Sequence, residues 1–402
     1  MNLNAFRIGL NWPALRPAPT NPFALDGGQL DYYRQVLETV KSRGMSTFVT
    51  LFHFCLPHWL AELGGWNNPR TIEEFGLYGE TVARELGDLV DFWLTLNEPL
   101  VYIYQGFING IWPPGYRKNY LRGFQGIRAL LNGHARAYAA IKGQIPHAQI
   151  SFTVHWRPFV ARDRFSPLDH LTRYARDQVF NHVFLMAIES GELNFPFPIS
   201  AEKQIKLISG TVPGLKGAMD FLALNYFTRE ICEFVYSWPL DIFGAQSQLV
   251  PLETTGLGWE IYPEGLYYLL TEDVAPYRYD REGELRPIFI AENGMGMRFP
   301  AHISSGDWSL DDEQRVRYLI SHLVALHQAI GDGANVKGYL HWSLIDNFEW
   351  SDGLESRFGL VRVAYPDQGR ALRKSAGVYA EIAGANRIDS EYLQLVRTMS
   401  WL

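Results

Sequence analysis

The sequence predicts an α/β barrel: a parallel sheet rolled up inside a ring of helices. Three observations carry this. Apolar, β-branched or aromatic runs of strand length recur along the chain, and helical patterns separate them. The runs are apolar almost throughout instead of alternating, as expected of strands covered on both faces.

The strand runs are Ala5–Leu10, Ser46–Phe54, Asp91–Leu96, Gln149–His155, Phe221–Tyr226, Pro287–Ala291 and Val336–Leu344. Between them, Leu30–Arg43 sets Leu30, Tyr33, Leu37 and Val40 on one helical face and stops at Gly44. Thr71 with Glu74 three residues on reads as a capping box opening Ile72–Leu86, which Gly87 ends. Gly126–Lys142, Leu168–Ser190, Glu264–Val274 and Asp311–Ile330 also read as helices. A closed barrel of this kind needs eight strands. The sequence offers seven, and it opens directly in the first of them.

The chain has 402 residues, 47% hydrophobic and 20% charged, an ordinary globular balance with enough apolar surface for a large core. No linker or low-complexity stretch divides it, so residues 1–402 read as one barrel domain with an extra tail over 386–402. Net charge is −7 and no basic run occurs, which excludes a nucleic-acid partner. No long uncharged apolar run occurs either, so no membrane span is expected. Cys55 and Cys232 are the only cysteines, and the first residues show no secretory pattern; a cytoplasmic location is expected. Nothing calls for a cofactor or a metal.

Two runs carry the chemistry. Thr95-Leu96-Asn97-Glu98-Pro99 and Ile290-Ala291-Glu292-Asn293-Gly294 each place a carboxylate at the end of an apolar strand. A charge there is too costly to be core filler. In a βα barrel, catalytic groups sit at the carboxyl ends of the strands. Strand ends here bring His53, Asn97-Glu98, Asn225-Tyr226, Glu292-Asn293 and His341-Trp342 to one rim. After the last strand, Asp346-Asn347-Phe348-Glu349-Trp350 sets a carboxylate between aromatic rings, a floor suited to a sugar. Glycoside hydrolysis needs such a pair of carboxyls, one to protonate the leaving oxygen and one to attack the sugar carbon.

These runs resemble glycoside hydrolase family 1, the retaining β-glucosidases and β-galactosidases. The motifs fall in the family's order: Phe6–Trp12, Thr50–Phe54, Gly64-Gly65-Trp66, Thr95–Pro99, Leu224-Asn225-Tyr226, Gly258–Leu266, Ala291–Gly294, Trp342–Trp350 and Arg357–Leu360. The resemblance implies a TIM (β/α)8-type barrel and a small β-glycoside or short oligosaccharide as substrate. It implies Glu98 as the acid/base, with a raised pKa, and Glu292 as the nucleophile, kept ionised by Arg7. It implies Asn97 at the sugar 2-hydroxyl, with His53, Asn225, Glu349 and Trp350 around the glycone, Trp342 as stacking platform and Trp259 on the aglycone side. The carboxyls are expected roughly 5–5.5 Å apart, the retaining spacing. Relatives that cleave phosphosugars carry Lys and Tyr after the last strand. Here Trp350–Glu355 is acidic, which favours an unphosphorylated glycone.

Some features depart from the family pattern. The resemblance implies a leading βα unit, on the order of 50 residues, ahead of Phe6–Trp12; it carries a glutamine for the outer hydroxyls, and it is missing here. Phe227 stands where the family has a tyrosine whose hydroxyl bonds the nucleophile, and Tyr226 is expected to point to the other side of the strand. Cys55 replaces a polar residue. A missing first strand leaves two sheet edges open. A second copy of the chain, or the tail with Leu393, Leu395, Val396, Met399, Trp401 and Leu402, is a candidate to cover them; a tail packed elsewhere is the favoured alternative. The function expected is a retaining exo-β-glycosidase for β-glucosides, β-galactosides or β-fucosides. A catalytically impaired sugar-binding relative and an endo-acting glycanase are the rival readings.

Overall fold

The computed structural model describes residues 1–402 except 20, 22, 196–201, 238–240, 248–252, 299–308, 366 and 397–402. Its central sheet has seven parallel strands: β1 (Ala5–Gly9), β2 (Ser46–Phe52), β3 (Phe92–Asn97), β4 (Gln149–Trp156), β5 (Leu222–Tyr226), β6 (Ile288–Asn293) and β7 (Val336–His341). They pair in sequence order, and every pairing is parallel. The sheet curls until β1 and β7 meet, with no hydrogen-bonded ladder between them among the described residues. All seven strand runs expected from the sequence form strands, each within a few residues of its expected ends.

Burial along the strands follows from this closure. β3, β4, β5 and β6 are buried almost throughout, whereas β1 and β7 stay half-exposed along the seam. Inside the barrel, beneath the rim, Phe48, Phe92, Phe221 and Phe289 close the interior, with Phe48 stacked on Phe92 at 4.4 Å and Phe289 edge-on to Phe221 at 5.4 Å. On one outer side Trp12, Phe52, Trp66, Phe75 and Tyr78 form an aromatic cluster that pins the rim end of β2 to its helices. Flat, rigid rings filling both layers give the rim a stiff base.

Three local expectations are corrected, the shortest being the helix expected over Glu264–Val274, which runs Glu264–Tyr268 and then widens into a π turn, Leu269–Asp273. The helix predicted to open at Ile72 spans Pro69–Leu86, capped by Asn68, whose side chain accepts from Arg70 N. Pro69 explains the earlier start, since its fixed φ and missing N–H suit a first helical position. Thr71 instead bonds Gly65 O at 2.6 Å, and Glu74 pairs with buried Arg16 at 2.8 Å. The long helix expected over Leu168–Ser190 is interrupted: Pro167–Asp177 and Val183–Ser190 flank a π turn, Gln178–His182. In that turn Asn181 bonds both the backbone N–H and the carbonyl of Arg157.

The described part of the tail, up to Val396, packs against the helices outside the barrel. Val396 is fully buried against Val316, Ile320, Val324 and Val378. Met399, Trp401 and Leu402 lie outside the described residues.

Candidate active site

The site lies at the carboxyl ends of the strands, and backbone irregularities aim both carboxylates into it. Glu98 follows β3 in the left-handed region (φ 43°, ψ 61°), immediately before the short helix Pro99–Ile103. That conformation is unfavourable for a residue with a Cβ. It is held because Glu98 N bonds both the carbonyl and the hydroxyl of Thr153 on β4. Glu292 follows a register shift in β6, after Ile290, which sets it opposite Asn225. An extra residue in a strand re-aims the side chains beyond it.

Glu98 and Glu292 are 6% and 4% exposed, so neither can be ionised without partners. The partners differ. Glu292 takes a buried ion pair from Arg7 Nη1 at 2.6 Å. Glu98 receives Asn225 Nδ2 at 2.7 Å and lies 2.9 Å from His155 Nδ1, both at the same oxygen, Oε1. A hydrogen-bonded chain links the two carboxyls. Arg7 Nη2 bonds Asn97 Oδ1 at 2.6 Å, and that oxygen also accepts from Thr153 Oγ1 at 2.7 Å and from Asn225 Nδ2 at 3.4 Å. Arg7 is itself steadied by Thr50 Oγ1 and Ala291 O.

The titration balance departs from the sequence expectation. Burial alone raises both carboxyls. At Glu98 it is outweighed by His155, whose Nδ1–H donates to the carboxylate, and by the amide of Asn225, leaving this carboxyl below the usual range. Burial pushes Glu292 up to about 8; Arg7 opposes this, and the charges of Glu98 and Glu349 add to it. The raised pKa expected at Glu98 is therefore corrected, because that expectation did not take His155 into account. Charge on Glu98 raises Glu292, so the two buried carboxyls titrate as a pair with one proton shared between them.

The other expected residues gather around this pair. His53 Nε2 lies 3.0 Å from Asn97 Nδ2, and desolvation with the Arg7 charge pushes its pKa down to about 3, so its Nε2 accepts. Its ring lies 5.9 Å from Trp342 and 5.3 Å from Trp350. Burial pushes Glu349 up to about 7 against a hydrogen bond from Trp342. Trp259 stands farther out, 5.7 Å from Phe227 and 6.2 Å from Phe358. Tyr226 points away as expected, its hydroxyl bonded to Tyr262 O. Phe227 stacks on His155 at 5.7 Å. Two rim residues take structural places instead: Asn293 bonds Tyr226 O, Tyr318 and Tyr339, and His341 faces Tyr379.

Sequence reasoning missed His155, Arg157, Phe54 and Trp112. Phe54 and Trp112 extend the aromatic wall beside Trp350, at 5.2 and 6.0 Å from its ring. His155 had a readable signal, being a polar residue at the end of a predicted strand. No group of three or more His, Cys, Asp or Glu side chains able to hold a metal occurs among the described residues, and none of their helices is long and apolar enough to cross a membrane.

The glycosyl hydrolase family 1 model matches residues 1–388. The chain belongs to this family. The expected lack of a leading βα unit is not borne out by this match. Among relatives, the chain is 32% identical to β-glucosidase A of Acetivibrio thermocellus, over 96% of this chain and 84% of that protein. It is 30% identical to a β-galactosidase of Pyrococcus woesei, over 98% and 86%. Its fold superposes on the Thermotoga maritima β-glucosidase in complex with deoxynojirimycin with a TM-score of 0.82, at 29% identity, covering 96% of this chain and 84% of that one. The protein is a glycoside hydrolase with the barrel that the sequence predicts.

Proposed function

We propose that this family 1 enzyme hydrolyses unphosphorylated β-glucosides, with β-galactosides and β-fucosides as further substrates, by double displacement with retention. Glu292 attacks C1 as a carboxylate. The glycosidic C–O bond breaks, its electron pair passes to the leaving oxygen, and that oxygen takes the proton of Glu98. Water then attacks C1 of the glycosyl-enzyme, gives its proton to Glu98, and releases Glu292. The neighbours of the two carboxyls favour the shared proton on Glu292, so substrate binding has to hand it over. A glycosidic oxygen beside Glu98 favours protonated Glu98, and Arg7 takes up the charge left on Glu292.

The observation that carries this reading is the pair of buried carboxyls at the ends of β3 and β6, joined through Arg7, Asn97 and Asn225. Asn97, held by Arg7 and Thr153, contacts the 2-hydroxyl. His53, Asn225, Glu349, Trp342 and Trp350 bind the glycone, and Trp259 meets the aglycone. The names of the relatives support both a glucoside and a galactoside glycone.

The test uses 4-nitrophenyl β-glucoside. Glu292→Gly is expected to lose on the order of 10⁵-fold in kcat. Azide then restores turnover, forming the α-glycosyl azide. No activity in the folded wild-type chain, or cleavage of polymer alone, overturns the reading. The free cysteines, one exposed and one buried, support a reducing, cytoplasmic compartment. The partner proposed for the half-exposed β1 and β7 edges is a second copy of the chain, which sedimentation velocity tests; a monomer rejects it.

A further inference from the structure

Behind Glu98 lies a row of charged and polar groups that the hydrolysis steps do not use. His155 Nδ1 is 2.9 Å from Glu98 Oε1, and its Nε2 is 3.4 Å from Arg157 Nη2. A guanidinium offers donors only. Nε2 therefore accepts, and the imidazole proton sits on Nδ1, directed at Glu98. Arg157 cannot turn away. Its Nη1 bonds Glu230 Oε2 at 2.7 Å, the other oxygen of Glu230 pairs with Arg176, and Asn181 clasps its backbone from the π turn. The imidazole is held between rings, with Phe227 stacked on it at 5.7 Å and Phe180 edge-on at 5.8 Å.

We propose that His155 is a positioning residue for the acid/base: together with Asn225 it grips one oxygen of Glu98 and so leaves the other, Oε2, as the atom that gives and takes the proton. Arg157 sets the tautomer that makes this grip possible. Both donors converge on Oε1, and no hydrogen bond reaches Oε2 among the described residues. A carboxyl gripped on one side cannot spin, so its free oxygen faces the same point in both half-reactions. The inference rests on the acid/base reading of Glu98. The charged and titratable groups facing Glu98 are His155 and, behind it, Arg157 from β4 and its end, His53 from the end of β2, Glu292 from β6, Glu349 from the loop after β7, and Arg7 of β1 through Asn97.

The experiment compares kcat/KM against pH for wild type, His155→Ala, His155→Asn and Arg157→Met. Each is assayed on an alkyl β-glucoside, which needs a proton on its leaving group, and on a dinitrophenyl β-glucoside, which does not. His155→Ala is expected to lose on the order of tenfold to a hundredfold on the alkyl substrate and to stay within about tenfold of wild type on the dinitrophenyl one. Its alkaline limb moves to higher pH, because Glu98 loses a donor that favoured its ionised form. His155→Asn, whose amide reaches the Nδ1 position, recovers most of the rate. Arg157→Met shifts the limb in the same direction by less. Equal losses on both substrates with an unmoved limb make His155 scaffold only and overturn the proposal. Glu98→Ala is the control. If it shows no dependence on the leaving group, the acid/base reading itself fails; if it shows that dependence while the His155 and Arg157 variants do not, only the grip fails. Should His155→Ala not fold, His155→Asn and Arg157→Met carry the test.

Discussion

The ends of β3 and β6 carry the same residue at the same depth, yet the protein treats them differently. Glu292 is held by a cation, Arg7, whereas Glu98 is held by donors from β4 and β5. Burial raises both, and the neighbours decide the rest: Glu98 falls below the usual carboxylate range while Glu292 rises to about 8. Arg7 alone does not keep Glu292 low, because Glu98 and Glu349 press on it from the other side. In a site with three carboxylates and low dielectric, net charge around a group matters more than its closest contact.

The largest effect that can break this comparison is at Glu98. Glu98→Ala is expected to lower kcat/KM for alkyl glucosides on the order of 10²–10⁴-fold while sparing dinitrophenyl glucosides; a leaving-group series measures this, and a uniform loss removes the asymmetry between the two ends.

Next comes Arg7→Met, which strands Glu292 without its cation. Removing one partner of a buried pair costs roughly 3–5 kcal/mol when the other stays charged. Here Glu292 escapes part of that by protonating, so denaturation at pH 5 is expected to show a much smaller loss than at pH 9. Equal losses at both pH values contradict the raised titration of Glu292.

Stability against pH sharpens the comparison further. The folded pKa of Glu292 lies above its ordinary value of 4.5, so its contribution is fully present below that value and is lost as pH rises through about 8. Glu292→Gln is therefore expected to be more stable than wild type at pH 9, by roughly 1–3 kcal/mol, with the gap closing by pH 4. Thermal unfolding across this range checks the sign. The same shared proton places the alkaline limb of wild-type activity near pH 8.

The smallest effect is expected from Phe227→Tyr. A hydroxyl reaching Glu292 lowers the acid limb by less than about one pH unit. An unmoved limb means that the ring keeps its place against His155.

Much of the barrel was legible because period and composition respond to burial on both faces, which local sequence records. Each of the seven runs became a strand, and the motif-bearing ends met at one rim. Helix starts were less legible: Thr71 and Glu74 matched a capping pattern, but Pro69 and Asn68 set the start, and Glu74 was drawn to Arg16. The π turn at Gln178–His182 left no period to read, since a single wide turn follows from packing around Asn181 and Arg157.

By itself the sequence determined the strand set, the two carboxylates and the residues that flank them, because each of these is a local fact of residue type and spacing. Only the tertiary structure decided which way the pair is polarised. His155, Asn225 and Arg7 come from three strands far apart in the chain, and Coulomb and hydrogen-bond energies depend on distances in space, which the order of residues does not contain.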